Sequence, residues 1–218
     1  MSRAQAVENP TAIGGDSPTN DSKIMVDALI PYIVEVTMKG TCPLIFHRWS
    51  NEDVKEKGQA AKGSSTKKTD NVESYVYRNK DGFISLPGIY LRGALVNAAK
   101  FIQDPRSSRK SAADLYKAGV QPITALAPVC CPKPTKNWEF LDQRRVTIQR
   151  NGITRSRPAF EEGWEATVVL SVLTPQYISP KQLQAALVNA GMLVGVGDFR
   201  PTYGRFSIIK FDVKTLAA

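Results

Sequence analysis

Cysteine and histidine are nearly missing from this chain. Its 218 residues hold three cysteines, Cys42, Cys130 and Cys131, and one histidine, His47. Two of the cysteines are adjacent, the total is odd and there is no Cys-x-x-Cys pair, which excludes a disulfide framework and a zinc site of the usual spacing. A single histidine excludes a histidine-based metal cluster and a His–His acid/base pair. The expectation is therefore no metal and no cofactor. Long apolar runs are absent too. None reaches the ~20 residues that cross a bilayer, and the opening "MSRAQAVENPTAIGGDSPTN" lacks the apolar centre of a signal peptide. A cytoplasmic protein with no membrane partner is expected. Acidic residues are also in deficit, 20 Asp and Glu against 29 Lys and Arg, for a formal charge of +9. That excess points to an acidic partner, nucleic acid first.

The chain is 42% hydrophobic, enough for a sizeable core. Residues 1–23, rich in Gly, Ser, Asn, Pro and Asp, read as a disordered tail. "YIVEVTMKG" (32–40) alternates apolar and polar positions and reads as a first strand. The stretch 51–73, charged and broken by Gly58 and Gly63, reads as a mobile insertion. "SYVYRNKDGFISLP" (74–87) looks like a hairpin turning at "NKDG". "GIYLRGALVNAAKFI" (88–102) carries Leu91, Leu95, Ala98 and Ile102 on one helical face. Residues 103–114 read as a polar loop. The stretch 139–160 looks like a long hairpin with Asn151-Gly152 at its tip, and 164–173 is a strand. In "ISPKQLQAALVNAG", Ser179 caps a helix, Pro180 suits its first position and Gln182 completes a capping box. "GRFSIIKFDV" (204–213) closes the chain as a strand. The order predicts an α+β fold, an antiparallel ferredoxin-like or RRM-like sheet with helices on one face, in a single domain over 24–218.

Four constellations carry chemistry. The 139–160 hairpin holds Arg144, Arg145, Arg150, Arg155 and Arg157; arginine binds phosphate bidentately and stacks on bases. "LVGVGDFRPTYGRF" (193–206) combines Gly195, Gly197 and Gly204, whose amides can approach phosphate, with Arg200 and Arg205 to neutralise charge and Phe199 and Tyr203 to stack bases. It follows a helix and enters a strand, the reverse of a dinucleotide-binding turn. "LPGIYLRGALVNAAK" offers an anion the helix N-terminus at Gly88 with Arg92 nearby. "PLIFHRWS" follows the first strand with Arg48 and Trp49 as binding contacts. The histidine side chain ordinarily titrates at about 6.5, which suits a general base, so catalysis by His47 stays open as the alternative to a non-catalytic site.

Together "ISLPGIYLRGALVNAAK", "GVGDFRPTYGRFSI" and the first strand with "GTCPLIF" resemble the RAMP superfamily of CRISPR-associated proteins over roughly residues 32–213. The resemblance implies a ferredoxin-like fold with a hairpin thumb at 139–160. It implies single-stranded RNA bound across the sheet and glycine loop, with protomers side by side along a guide strand. Gly88, Arg92 and Gly93 match the helix motif; Gly195, Gly197, Gly204 and Arg205 match the loop. The expected partners are thus single-stranded RNA (or DNA), copies of the chain itself and other effector subunits. Two alternatives remain at this point: a metal-independent, guide-processing endoribonuclease using His47, and a phage-encoded single-stranded DNA-binding or recombination protein.

Overall fold

The computed structural model describes residues 30–51, 55, 58–59, 71–148 and 151–215. Their elements follow in the order β1 (Tyr32–Gly40), β2 (Leu44–Ile45), β3 (Ser85–Pro87), α1 (Gly88–Ala98), α2 (Ala113–Gly119), β4 (Val120–Pro122), β5 (Leu126–Pro128), β6 (Phe140–Ile148), β7 (Asn151–Phe160), β8 (Glu165–Val172), α3 (Pro180–Asn189) and β9 (Phe206–Thr215). Period-2 alternation decides the main sheet. β1 turns Val34, Val36 and Met38 inward, and β8 turns in Ala166, Val168, Leu170 and Val172; all are buried. Leu91, Leu95 and Ala98 of α1 and Leu183, Ala186 and Leu187 of α3 meet them in one core. Each Leu so buried contributes about 1.5–3 kcal/mol.

The sheet order is β4-β8-β1-β9, with every neighbouring pair antiparallel. Helices α1 and α2 lie in the chain between β1 and β4, and α3 between β8 and β9. This is the split βαβ arrangement of a ferredoxin-like fold, as the element order predicts. The β6–β7 ribbon is inserted between β4 and β8, and β7 also pairs with the short β2. Gly40 is needed where β1 ends: a Cβ there would lie 2.0 Å from Nε1 of the buried Trp164, which donates to the Cys42 carbonyl.

The capping box is present at α3. Ser179 accepts from the Gln182 amide, the Gln182 side chain accepts from the Ser179 amide, and Pro180 opens the helix. Four expectations need correction. The stretch 74–87 forms its turn, with the Gly82 amide on the Asn79 carbonyl, but only one bridge, Arg78 with Ile84; β3 pairs instead with β5. The supposed loop 103–114 runs into α2, which lacks a side-chain N-cap and so left no signal. The helix expected over 88–102 ends at Ala98 and tightens into a 3₁₀ turn over Ala99–Phe101. In the ribbon Ile148 pairs with Asn151 and Thr147 with Gly152, so Asn151-Gly152 belongs to β7. The tail 1–23 and Arg150 lie outside the described residues, as does most of 51–70; Val72–Tyr75 form a 3₁₀ turn.

Candidate nucleic-acid interface

The ribbon has two unlike faces. Asp142 stands opposite Arg157 and Arg144 opposite Arg155, so these four share one face, while Arg145 and Thr154 share the other. The first face packs on the loop between α3 and β9. Arg144 bonds Asp142 at 2.8 Å and donates to the Tyr203 hydroxyl. Its guanidinium lies 4.4 Å from the Tyr203 ring centre and 5.3 Å from that of Phe199. The Asp142 hydrogen bond, then that of Tyr203, raises the Arg144 pKa, so its charge is fixed.

Arg157 departs from the phosphate-binding expectation. Its side chain is 8% exposed, and Nε lies 2.8 Å from Asp198. Its Nη1 has no hydrogen-bond acceptor among the described residues; the Phe199 ring, 4.5 Å from the guanidinium, supplies a π face instead. Arg157 therefore clamps the loop to the ribbon. Arg155 reaches the Tyr75 hydroxyl at 3.5 Å. Arg145 is exposed and has no ion-pair partner among the described residues, and the same holds for Arg200.

The loop glycines serve the backbone first. A π-helical turn over Ala190–Val194 ends α3, and Gly195 stops it at φ 74° with its amide on the Ala190 carbonyl. Gly204, at φ 70°, donates to Pro43; a Cβ there would fall 1.6 Å from the Val196 carbonyl. At Gly197 (φ 81°) a Cβ would come within 2.7 Å of both the Ile45 carbonyl and Leu44. The expectation that these glycines turn amides toward phosphate is thus corrected for Gly195 and Gly204: both amides are spent on carbonyls, Gly195 and Gly204 let the two ends of the loop pass closely against each other, and Gly197 lets it lie against β2. That contact holds Phe199 at φ 55°, the one non-glycine residue with positive φ among the described residues. Such a conformation persists where its surroundings enforce it and often marks a functional position.

His47, Arg48 and Trp49 continue the same surface. His47 Nδ1 lies 3.6 Å from Asp198, and its ring meets Tyr75 edge-on at 4.8 Å. Arg48 sits 5.3 Å over the Tyr77 ring, and the Tyr77 and Tyr90 hydroxyls are 3.2 Å apart. Burial foremost, then Tyr77, pushes the Tyr90 hydroxyl up; the charges of Arg200 and Asp198 also act on it, which puts the start of α1 beside the loop. Trp49 is 72% exposed and donates to Asn51.

Other expected site residues have structural work. Arg92 donates to the Val120 carbonyl at 2.9 Å and to that of Lys117, capping the end of α2. The Gly88 amide donates to Ala125, and a Cβ at Gly88 would meet the Thr124 carbonyl at 2.1 Å. The 122–125 segment therefore covers the helix start where an anion was expected. Gly93 has open space at its Cβ. Arg205 is exposed and lines a separate cleft with Val188 and Met192. On the outward sheet face the charges pair with one another. Lys210 and Lys214 both bond Glu35, and Lys39 pairs with Glu165; no aromatic side chain lies among Ile33, Glu35, Thr37 and Lys39 of β1.

Sequence reasoning missed Asp142 and Asp198 as anchors, and missed Lys100 and Phe101. These last two border a cleft of about 620 Å³ between the end of α1 and the glycine loop, with Leu193, Asp198, Phe199 and Arg200 among its walls. Phe101 is 74% exposed. No group of three or more potential metal ligands occurs among the described residues.

No family model matches the sequence, and no curated protein matches it. Among solved structures, the fold is similar to a chain in the cryo-EM structure of the Type III-B Cmr-β complex bound to cognate target RNA, at 9% identity and a TM-score of 0.48, over 90% of this chain and 65% of that one. It is also similar to Cmr6 from Pyrococcus furiosus, at 12% identity and a TM-score of 0.43, over 83% of this chain and 98% of that one. The present chain thus spans 65% of the length of the first of these.

Proposed function

We propose that the chain is a non-catalytic subunit that binds single-stranded RNA within a CRISPR-type effector ribonucleoprotein, with copies assembling side by side along the guide strand. The observation that carries this reading is the meeting of ribbon and loop. Arg144 and Arg157 both stack on Phe199, and the exposed Arg200 and Arg48 border that junction. Fixed guanidinium charge beside aromatic rings suits an unpaired polynucleotide, whose phosphates need neutralising and whose bases need a stacking surface. The likeness of the glycine motifs to RAMP proteins supports RNA as the strand. Side-by-side assembly has a surface to use: β9 is an edge strand with Ile209 and Val213 exposed, and the exposed Val188 and Met192 line a cleft with its Phe206–Ile208 end. The test is purification from cells with nuclease withheld. RNA of discrete length bound to the protein supports a guide complex. A protein free of nucleic acid, or one that prefers a matched DNA oligonucleotide in competition, contradicts it, since only RNA offers a 2′-hydroxyl.

One observation favours a second reading. His47 and Asp198 form a His–carboxylate pair at the same junction. In a metal-independent endoribonuclease His47 would take the proton from a 2′-hydroxyl, and Asp198 would orient the ring. Cleavage of labelled RNA by the wild type and not by His47→Ala would replace the first reading with this one.

A further inference from the structure

We infer that the cleft between the end of α1 and the glycine loop receives one unpaired nucleotide, its base on the Phe101 ring and its phosphate between Lys100 and Arg200. The inference rests on the nucleic-acid reading above and assigns a base contact, Phe101, that lies outside both glycine motifs. Phe101 is the most exposed large apolar residue among those described, at 74%, and Leu193 beside it is 49% exposed. Phe101 is the last residue of the 3₁₀ turn over Ala99–Phe101 that follows α1, just past the buried Ala98 and Ala99. The opening holds about 620 Å³, within the roughly 300–1,000 Å³ of sites that take small organic groups.

The cleft's charge suits a phosphate. Lys100 and Arg200 line it, both exposed, and neither has an ion-pair partner among the described residues. The one carboxylate on its wall, Asp198, is already held by Arg157 and His47. Phe199 forms part of this cleft and also stacks under Arg144 and Arg157, so a strand leaving the cleft passes directly to the ribbon. An aromatic face accepts any base and does not distinguish ribose from deoxyribose, so the site takes a nucleotide of either single strand.

The test uses the full chain, a fluorescent 12-mer oligo(U) RNA, the matched oligo(dU) DNA and an abasic RNA of equal length. Phe101→Leu keeps an apolar side chain and removes the stacking surface. It is expected to weaken both base-bearing oligomers by roughly 5- to 10-fold. Its affinity for the abasic strand and its salt slope stay unchanged. Lys100→Ala is expected to weaken all three and to make the slope of log affinity against log salt shallower by about 0.7. Unchanged melting of Phe101→Leu excludes a folding defect. Wild-type affinity in Phe101→Leu overturns the inference while the nucleic-acid reading stands. A loss confined to RNA overturns base stacking as its cause. No binding by the wild type overturns both readings together.

Discussion

The outward face of the main sheet and the ribbon–loop junction both carry lysine or arginine, yet the charge is used in opposite ways. On the sheet, Lys210 and Lys214 share Glu35, Lys210 also bonds Asp212, and Lys39 takes Glu165. The pairs lie in water and cancel locally. At the junction, two acids, Asp142 and Asp198, hold Arg144 and Arg157 in place against Phe199 and Tyr203, and further arginines remain without a counter-ion among the described residues. Formal charge alone therefore does not locate a binding surface. What locates it is positive charge left over after local pairing, on a backbone rigid enough to present it.

The difference is sharpest in what substitutions should cost. Gly204→Ala puts a methyl group 1.6 Å from the Val196 carbonyl at a φ of 70°. It is expected to destabilise the protein by about 3 kcal/mol and to detach the loop from β2, which thermal and urea unfolding would register. Asp198→Asn leaves Arg157 buried without its anion. Loss of one partner from a fully buried pair costs about 3–5 kcal/mol; with the Asp198 side chain 31% exposed, we expect about 2 kcal/mol in urea unfolding. Tyr203→Phe removes one hydrogen bond to Arg144 and should cost about 1 kcal/mol. On the sheet, Glu35→Gln should lower the melting temperature at pH 7 only slightly, the smallest effect of the four. Its signature is at acid pH instead. Lys210 and Lys214 hold the Glu35 carboxyl below its usual range. Its contribution is thus complete above an unfolded value near 4.3 and is lost as pH falls through the lower folded value. The variant should show a shallower loss of stability below about pH 4 than the wild type. An equal slope would place no linkage at Glu35 and weaken the description of a self-paired face.

Much of this was legible in the sequence because it is local. The alternation of 32–40, the capping box at Ser179 and the Leu91–Leu95–Ala98 face each follow from a period or a cap within a few residues, and together they give the ferredoxin-like order. The arginine-rich ribbon was legible as well, but its division into two faces was not. That depends on the register of Arg144 with Arg155 and of Asp142 with Arg157. Arg157 looked like one more phosphate contact because its acid, Asp198, stands 41 residues away in the chain. Arg92 and Gly88 looked like an anion site because the 117–125 segment that occupies them arrives from the far side of α2. Phe101 was missed because an aromatic residue at the end of an apolar helix carries no local mark of its exposure.

The most direct measurement is a salt titration of oligo(U) binding by two variants that change the net charge equally, Arg48→Ala/Arg200→Ala at the junction and Lys210→Ala/Lys214→Ala on the sheet. The account predicts that the junction variant loses about 30-fold or more in affinity, with a slope shallower by about 1.4, while the sheet variant stays within about two-fold of wild type. Equal losses in both, or a larger loss on the sheet, would contradict it.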